Sequence, residues 1–489
     1  MAKKRVQGRG LHWRIRMKFT WRRAGASIAA LSLALLCAPL FAQARDEGPL
    51  RLSLAEAVDI AIANNLGLES ARISASMARR ASDLSWNQFI PSLDLSGTAS
   101  RLNNPPAINI PGTATPLPGA RSPQWAMTGT FSTALNLNVS MFEDMRRLRL
   151  EYERGLISYA TATAQLERDT RKAFHNILYL QENIALLHGS FENASRQAQI
   201  SQANFNAGLA PELTLLQAQV ARENLRPIID QAESGLRLLI MQFAVFLGLP
   251  YDTEFELEPV PTAMAPMELD AAALIARAAA AQPGAQATRQ DILVLESRLR
   301  AGRLRLYTPS LALNWSLNST YAGNRWEENS WFDGIADNDN WNRGGSLSIT
   351  LAFRLNGLLP FGLERQGLAA LADQISLARI GLAQMIRGTE IEIHNLVLTL
   401  ERTRLTAGAL AQTAALAQRS FELTEQAHRA GLADLFQVQN AEQSLRQAQV
   451  QLHEQHYNYL NGLIDLEYAL GVPFGTLILG GDFNEGSDD

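Results

Sequence analysis

The pair His453-x-x-His456 is the spacing in this chain best suited to a transition metal, because residues three apart share a helical face and neutral imidazoles are common metal ligands. The remaining histidines after residue 44, at 175, 188, 394 and 428, do not cluster with it, and the single cysteine, Cys37, lies far upstream. Two ligands do not complete a site, so no metal is expected. There is no Gly-x-Ser-x-Gly elbow, no local set of nucleophile, base and orienting residue, and no Gly-rich phosphate loop. Carboxylates are numerous but dispersed along helical stretches, where they read as solvated faces or as the lining of a lumen. The expectation is a protein that is not an enzyme, with no catalytic residue and no cofactor.

The first 44 residues hold nine basic residues and no acidic one, then the apolar run Ala24 to Leu40 and the small-residue site Ala42-Gln43-Ala44. This is the pattern of a secretory signal cleaved before Arg45, with Met17 as an alternative start. Cys37 falls inside the segment to be removed, and Leu36 stands where a lipid-anchored cysteine needs a small residue. Removal leaves 35 Lys and Arg against 48 Asp and Glu, a net charge near −13, which argues against nucleic acid as a partner. No later stretch is long and apolar enough for a membrane helix, but membrane β-strands escape such a scan because their two faces alternate.

The chain repeats itself. Pro91-Ser92-Leu93-Asp94-Leu95 returns as Pro309-Ser310-Leu311-Ala312-Leu313, Ala207-Gly208-Leu209-Ala210 as Ala430-Gly431-Leu432-Ala433, and Leu247-Gly248-Leu249-Pro250 as Leu470-Gly471-Val472-Pro473. A duplication of this length implies two halves of one plan: residues 45–257 and 269–473, joined by a Pro-rich linker at 258–268 and followed by a loose tail at 474–489. The first half predicts a helix over 52–88, strands over 91–102 and 126–141, and helices over 144–206 and 212–247. The second predicts a helix over 270–306, strands over 309–322 and 344–355, and helices over 364–429 and 433–470.

Two periodicities carry these expectations. Ala173, Ile177, Leu180, Ile184, Leu187, Phe191, Ala194, Ala198, Ser201 and Phe205 keep an unbroken 4-3 spacing, as do Ile386 to His428 and Val438 to Ala469. Sustained heptads mean long helices packed side by side. Leu135, Leu137, Val139 and Met141 alternate with polar residues, as do Leu311 to Leu317 and Leu347 to Leu355, the mark of strands with one apolar face. Four strands cannot close a conducting barrel, so several chains must contribute. In the loop Gly323 to Arg343, Trp326, Trp331, Phe332 and Trp341 either mark a membrane boundary or pack within the loop.

With a signal segment, duplicated halves, two strands per half and paired long helices, the chain resembles the TolC-like outer-membrane efflux proteins. The resemblance implies a homotrimer in the outer membrane of a Gram-negative bacterium. Twelve strands would form a β-barrel in the lipid, continuous with a twelve-helix α-barrel across the periplasm. It also implies docking onto a periplasmic adaptor (membrane fusion protein) and an inner-membrane transporter that supplies the energy. The function implied is a passive export duct for small molecules or drugs. Type I protein secretion, metal-ion efflux and a pore-less periplasmic coiled-coil scaffold stand as alternatives.

In the family, the helix turns at the periplasmic end form the entrance. Here Gly208 and Gly431 suit the chain reversal, and Leu209 and Leu432 at the tips are the expected adaptor contacts. Where relatives often place aspartates, this chain has Gln437 and Asn440, with Thr214 and Gln217 in the first half, so a narrow polar entrance is expected, with Asp434 and Glu212 nearby. Phe142 matches Phe361, and His175 matches His394, at a register of 219, whereas Gly208 matches Gly431 at 223. Four extra residues predict a stutter within the second helical hairpin and a difference in supercoil between the halves.

Overall fold

The computed structural model describes residues 50–477 apart from 104–106, 110, 113, 122–124, 261–269, 323–340 and 356–358. The expected signal segment with Cys37, most of the linker, Trp326, Trp331 and Phe332, and the tail beyond 477 lie outside the described residues.

Each half runs helix, helix, strand, strand, long helix, return helix. The first contains β1 (Leu50–Leu52), α1 (Leu54–Asn64), α2 (Leu66–Asp83), β2 (Ser92–Arg101), the short pair β3 (Ala107–Asn109) and β4 (Pro116–Arg121), β5 (Trp125–Asn138), α3 (Ser140–Asn206) and α4 (Glu212–Phe246). After β6 (Phe255–Leu257), the second contains α5 (Ala271–Ala281), α6 (Pro283–Tyr307), β7 (Ser310–Ala322), β8 (Trp341–Ala352), α7 (Leu363–Arg429) and α8 (Leu435–Leu470).

Where a single helix is expected before the first strand of each half, two stand instead. Asn65 ends α1 in an extended conformation and caps α2, its Oδ1 accepting from the N–H groups of Gly67 and Leu68 while its Nδ2 donates to the Phe246 carbonyl at 2.8 Å. In the second half the break falls at Gln282, held out of the helical region by Pro283, which then opens α6. β5 ends at Asn138, short of the expected 141, because the Asn138 side chain accepts from the Ser140 N–H at 2.8 Å and starts α3 early.

The sheet order is β2-β5-β7-β8, antiparallel throughout. The helices beneath follow the same order: α2, α3, α6 and α7 lie side by side nearest the strands, and further along α4, α3, α8 and α7 do so. The result is a wall four strands wide continuing into a wall four helices wide. Against it pack α1 with the parallel pair β1 and β6 on one half, and α5 on the other.

The cores sit where these additions meet the wall. Phe174, Phe243 and Phe255 stack edge to face at 6.4 and 6.1 Å with Leu52, Ala57 and Leu247 around them. Ile393, Val397, Leu400, Leu466 and Leu470 gather with Leu274 and Leu477 in the second half. The heptad residues behave as coiled-coil seams: along α7 from Ile386 and along α8 from Val438 each is buried or half-buried.

The expected stutter is not there. Both α3 and α7 have 67 residues, and their buried positions superpose at 223: Leu166 with Thr389, Thr170 with Ile393, Phe174 with Val397, Ile177 with Leu400 and Ile184 with Ala407. The extra four residues are taken up before α7 begins, since Phe361 precedes the helix whereas Phe142 lies within α3. His175 is buried and His394 exposed, so they are not structural counterparts.

Candidate functional site

The four strands sort their side chains into two faces. Register aligns Leu95, Phe131, Leu317 and Gly345 in one row and Leu93, Thr133, Trp315 and Leu347 in the next, followed by Leu135, Leu313 and Ile349, and then Leu137, Leu311 and Leu351. Phe131 meets Trp315 edge to face at 5.9 Å. The opposite face carries Asp94, Ser132, Ser316 and Ser346 in one row and Thr98, Thr128, Thr320 and Asn342 in another. Hydroxyl pairs join strands there, Ser316 to Ser346 at 3.0 Å and Thr128 to Thr320 at 3.3 Å. Leu95 is 84% and Leu351 72% exposed, so nothing in the described chain covers the apolar face. A sheet apolar on one side and polar on the other separates hydrocarbon from water. Among the described residues no helix is long and apolar enough to cross a membrane.

The edges of the wall are open as well. β2 and β8 each pair on one side only among the described residues. On edge helix α7, Ile380, Ile391, Leu398, Leu405, Leu416 and Leu423 are exposed at intervals of seven or eleven residues, which keeps them on one face. The opposite edge exposes Ile73 and Met77 on α2 and Leu216, Val220, Ile228 and Val245 on α4.

At the end remote from the strands the two hairpin turns are built alike. Gly208 and Gly431 have φ of 71° and 75°. The N–H of Gly208 donates to the Phe205 carbonyl and that of Leu209 to Asn204, while Gly431 and Leu432 donate to His428 and Ala427, all at 2.8–2.9 Å. This is the Schellman arrangement, and here the side chain that follows each glycine is exposed, Leu209 at 79% and Leu432 at 83%.

The turns differ in how the return helix starts. Asp434 caps α8, accepting from the Gln437 N–H at 2.8 Å, and the Gln437 side chain accepts from the Asp434 N–H in return. Pro211 offers α4 no side-chain cap. His428 Nδ1 also lies 2.8 Å from the Ala433 carbonyl and braces the second turn. Of the polar residues expected at the entrance, Gln437 and Asn440 share a groove between α7 and α8 with Leu432, Ser420 and Thr424. Thr214 is half-buried and Gln217 exposed at the corresponding positions of α4. The Gln437 amide oxygen thus takes part in capping, which leaves Asn440 the freer of the pair.

The histidine pair belongs to a seam between α3 and α8. His453 Nδ1 meets Glu182 Oε2, Tyr457 donates to Glu182 Oε1 at 2.9 Å, and the two imidazoles are 6.5 Å apart. Burial pushes the Tyr457 phenol well above its usual range, and burial together with the neighbouring His453 holds the His456 pKa below the ordinary histidine value. Lys172 with Asp465 and His175 with Asn461 continue the seam at 2.8 and 3.0 Å. Among the described residues no group of three or more His, Cys, Asp or Glu is placed to hold a metal ion.

Sequence patterns did not single out three polar positions. Glu467 is fully buried and its carboxylate accepts from the backbone N–H groups of Gly475 and Leu477 at 2.8–3.0 Å, pinning the chain after α8. Glu442 and Gln197 face each other's helices across a cavity between the hairpins. Their spacing beside the heptad positions was the only available signal, and it does not say which helix lies opposite.

Residues 57–233 match the family model described as outer membrane efflux protein. No curated protein matches the chain by sequence. Among solved structures, the outer membrane protein VceC of Vibrio cholerae superposes with a TM-score of 0.67 at 15% identity, covering 86% of this chain and 96% of its own. The CmeC outer membrane channel of Campylobacter jejuni gives 0.66 at 18%, covering 86% and 85%. CusC, described in connection with transmembrane channel formation, gives 0.66 at 15%, covering 86% and 92%.

Proposed function

We propose that this chain, which belongs to the outer-membrane efflux protein family and has its place in the outer membrane, closes as a homotrimer into a passive duct for export. The observation that carries the proposal is the pairing of an uncovered apolar sheet face with two open edges. A single wall of four strands and four helices leaves both edges unsatisfied. Head-to-tail association that closes after three copies satisfies them all with one repeated contact.

The internal duplication supports the same contact in detail. Within one chain, α8 lies over the hairpin of α3 and α4, where Ala194, Gln197, Ala218 and Ala221 face Val438, Gln439 and Glu442. At the 223-residue register the second hairpin presents Ala417, Ser420, Ala441 and Ser444, which line an open groove. The helix equivalent to α8 is α4, and its residues Leu216 and Val220 are 49% and 57% exposed. We therefore assign that groove to α4 of the next copy. A pore-less scaffold would need its own chain to cover Leu95, Ile349 and Leu351, which among the described residues it does not do.

The exposed tips Leu209 and Leu432 are assigned to a periplasmic adaptor, and an inner-membrane transporter would supply the energy. The polar residues Thr214, Gln217, Gln437 and Asn440 are assigned to the entrance. Small molecules or drugs are the proposed cargo, with type I secretion and metal-ion efflux as the alternatives; the chain itself performs no chemistry on what passes. The test is reconstitution of the unheated oligomer into planar bilayers. Stepwise ion conductance without an energy source is expected, and a membrane-inserted oligomer that never conducts would refute the duct.

A further inference from the structure

We propose that Glu442 is a proton-operated latch between the two hairpins, holding α8 against α3 and α4 when protonated and releasing it when ionised. The inference rests on the duct proposed above and adds a control to its entrance. Glu442 lies two turns into α8, and its side chain enters a cavity of about 240 Å³ between that helix and the first hairpin. Gln197 of α3, only 8% exposed, enters from the other side. Oε1 of Glu442 and Oε1 of Gln197 are both buried without a hydrogen-bond partner.

Two bare acceptor oxygens in one cavity carry an uncompensated desolvation cost. A proton on Glu442 turns one of these two unpartnered acceptors into a donor. Burial raises the pKa of this carboxyl above its ordinary value, against hydrogen bonds from Ser190 and Asn193 and the nearby charge of Arg446, which favour ionisation. Arg446 is the one other charged residue lining the cavity; α3 and α4 contribute neutral side chains to it.

The sign follows from linkage. When α8 separates from the first hairpin, Glu442 is hydrated and its pKa returns to the usual carboxylate range. The packed state therefore binds the proton more firmly, is favoured in acid, and loses that advantage as pH rises through the raised pKa. Each unit of difference makes the separated state roughly tenfold more accessible at high pH than at low pH. The equivalent position on α4, 223 residues earlier, is Gln219. In the proposed ring the contacts between copies thus carry an amide where those within each copy carry the carboxyl, and only the latter respond to protons.

The test compares the full-length protein with Glu442→Gln, which is neutral at every pH. In planar bilayers the wild type should open several times more often at about pH 8 than at about pH 5, whereas the variant should keep the low acid-like frequency at both. Hydrogen exchange over 435–446, corrected for its intrinsic pH dependence, should show the same contrast. A Glu442→Gln variant that retains the wild-type pH response in exchange overturns the latch. Absence of conductance in both proteins would refute the duct instead, and the exchange measurement would still decide the latch.

Discussion

At the residue scale, function depends on side chains that are exposed or ionised for a stated reason. Leu209 and Leu432 are 79% and 83% exposed although the Schellman turns satisfy the backbone around them. Replacing both by Asp should leave the oligomer and its melting temperature unchanged, yet abolish adaptor-dependent export, read as drug susceptibility together with loss of adaptor crosslinking. Glu467 is the reverse case, a buried carboxyl that accepts from two backbone N–H groups while burial pushes its pKa up. Glu467→Ala strands those donors and should cost about 1–3 kcal/mol, seen as a lower denaturation midpoint with the chain after residue 471 newly open to proteolysis. Neither role was visible in composition: the tips announced themselves only through the repeated Ala-Gly-Leu, and Glu467 resembles any solvated helix carboxylate until the fold brings Gly475 back to it.

At the element scale, the two periodicities located the four strands of the main sheet and the four long helices, but not the short strands β1, β3, β4 and β6. The strands alternate every residue since one face is apolar and the other polar, and the long helices keep heptads since each packs lengthwise against another. Local chemistry that interrupts a period was harder to see. Asn65 and Gln282 break the helices before the strands through a cap and a following proline, within stretches whose apolar spacing continues across the break. The stutter inferred from Phe361 and His394 failed because identity of residue type was taken for identity of place, whereas burial aligns the helices at 223 throughout. Glycine at the turn gives a test of this scale. Gly431 has φ of 75° and no atom within 4 Å of an added Cβ, so Gly431→Val pays for backbone conformation alone. It should cost about 1–3 kcal/mol, measured as faster hydrogen exchange confined to the end of α7 and the start of α8.

At the scale of the whole molecule, one chain is an incomplete object. Its apolar sheet face is uncovered and its edges are open among the described residues, and in the proposed ring copies would join by the contact that its two hairpins already make within one chain. That contact was not legible in the sequence, since the Gln197 and Glu442 cavity joins helices more than 200 residues apart. In the proposed ring β2 of one copy pairs with β8 of the next, and three copies close it. In a Cys37→Ser background, Ser96→Cys on β2 can be combined in turn with Ser346→Cys and Ser348→Cys on β8. Within one chain these strands are three strand spacings apart, about 14 Å, too far for a disulfide, so any crosslink must join different copies. Oxidation in intact outer membranes should give a ladder of monomer, dimer and trimer that ends at trimer for the pair in register. A ladder running past trimer, or no crosslink for any pair, would contradict the account.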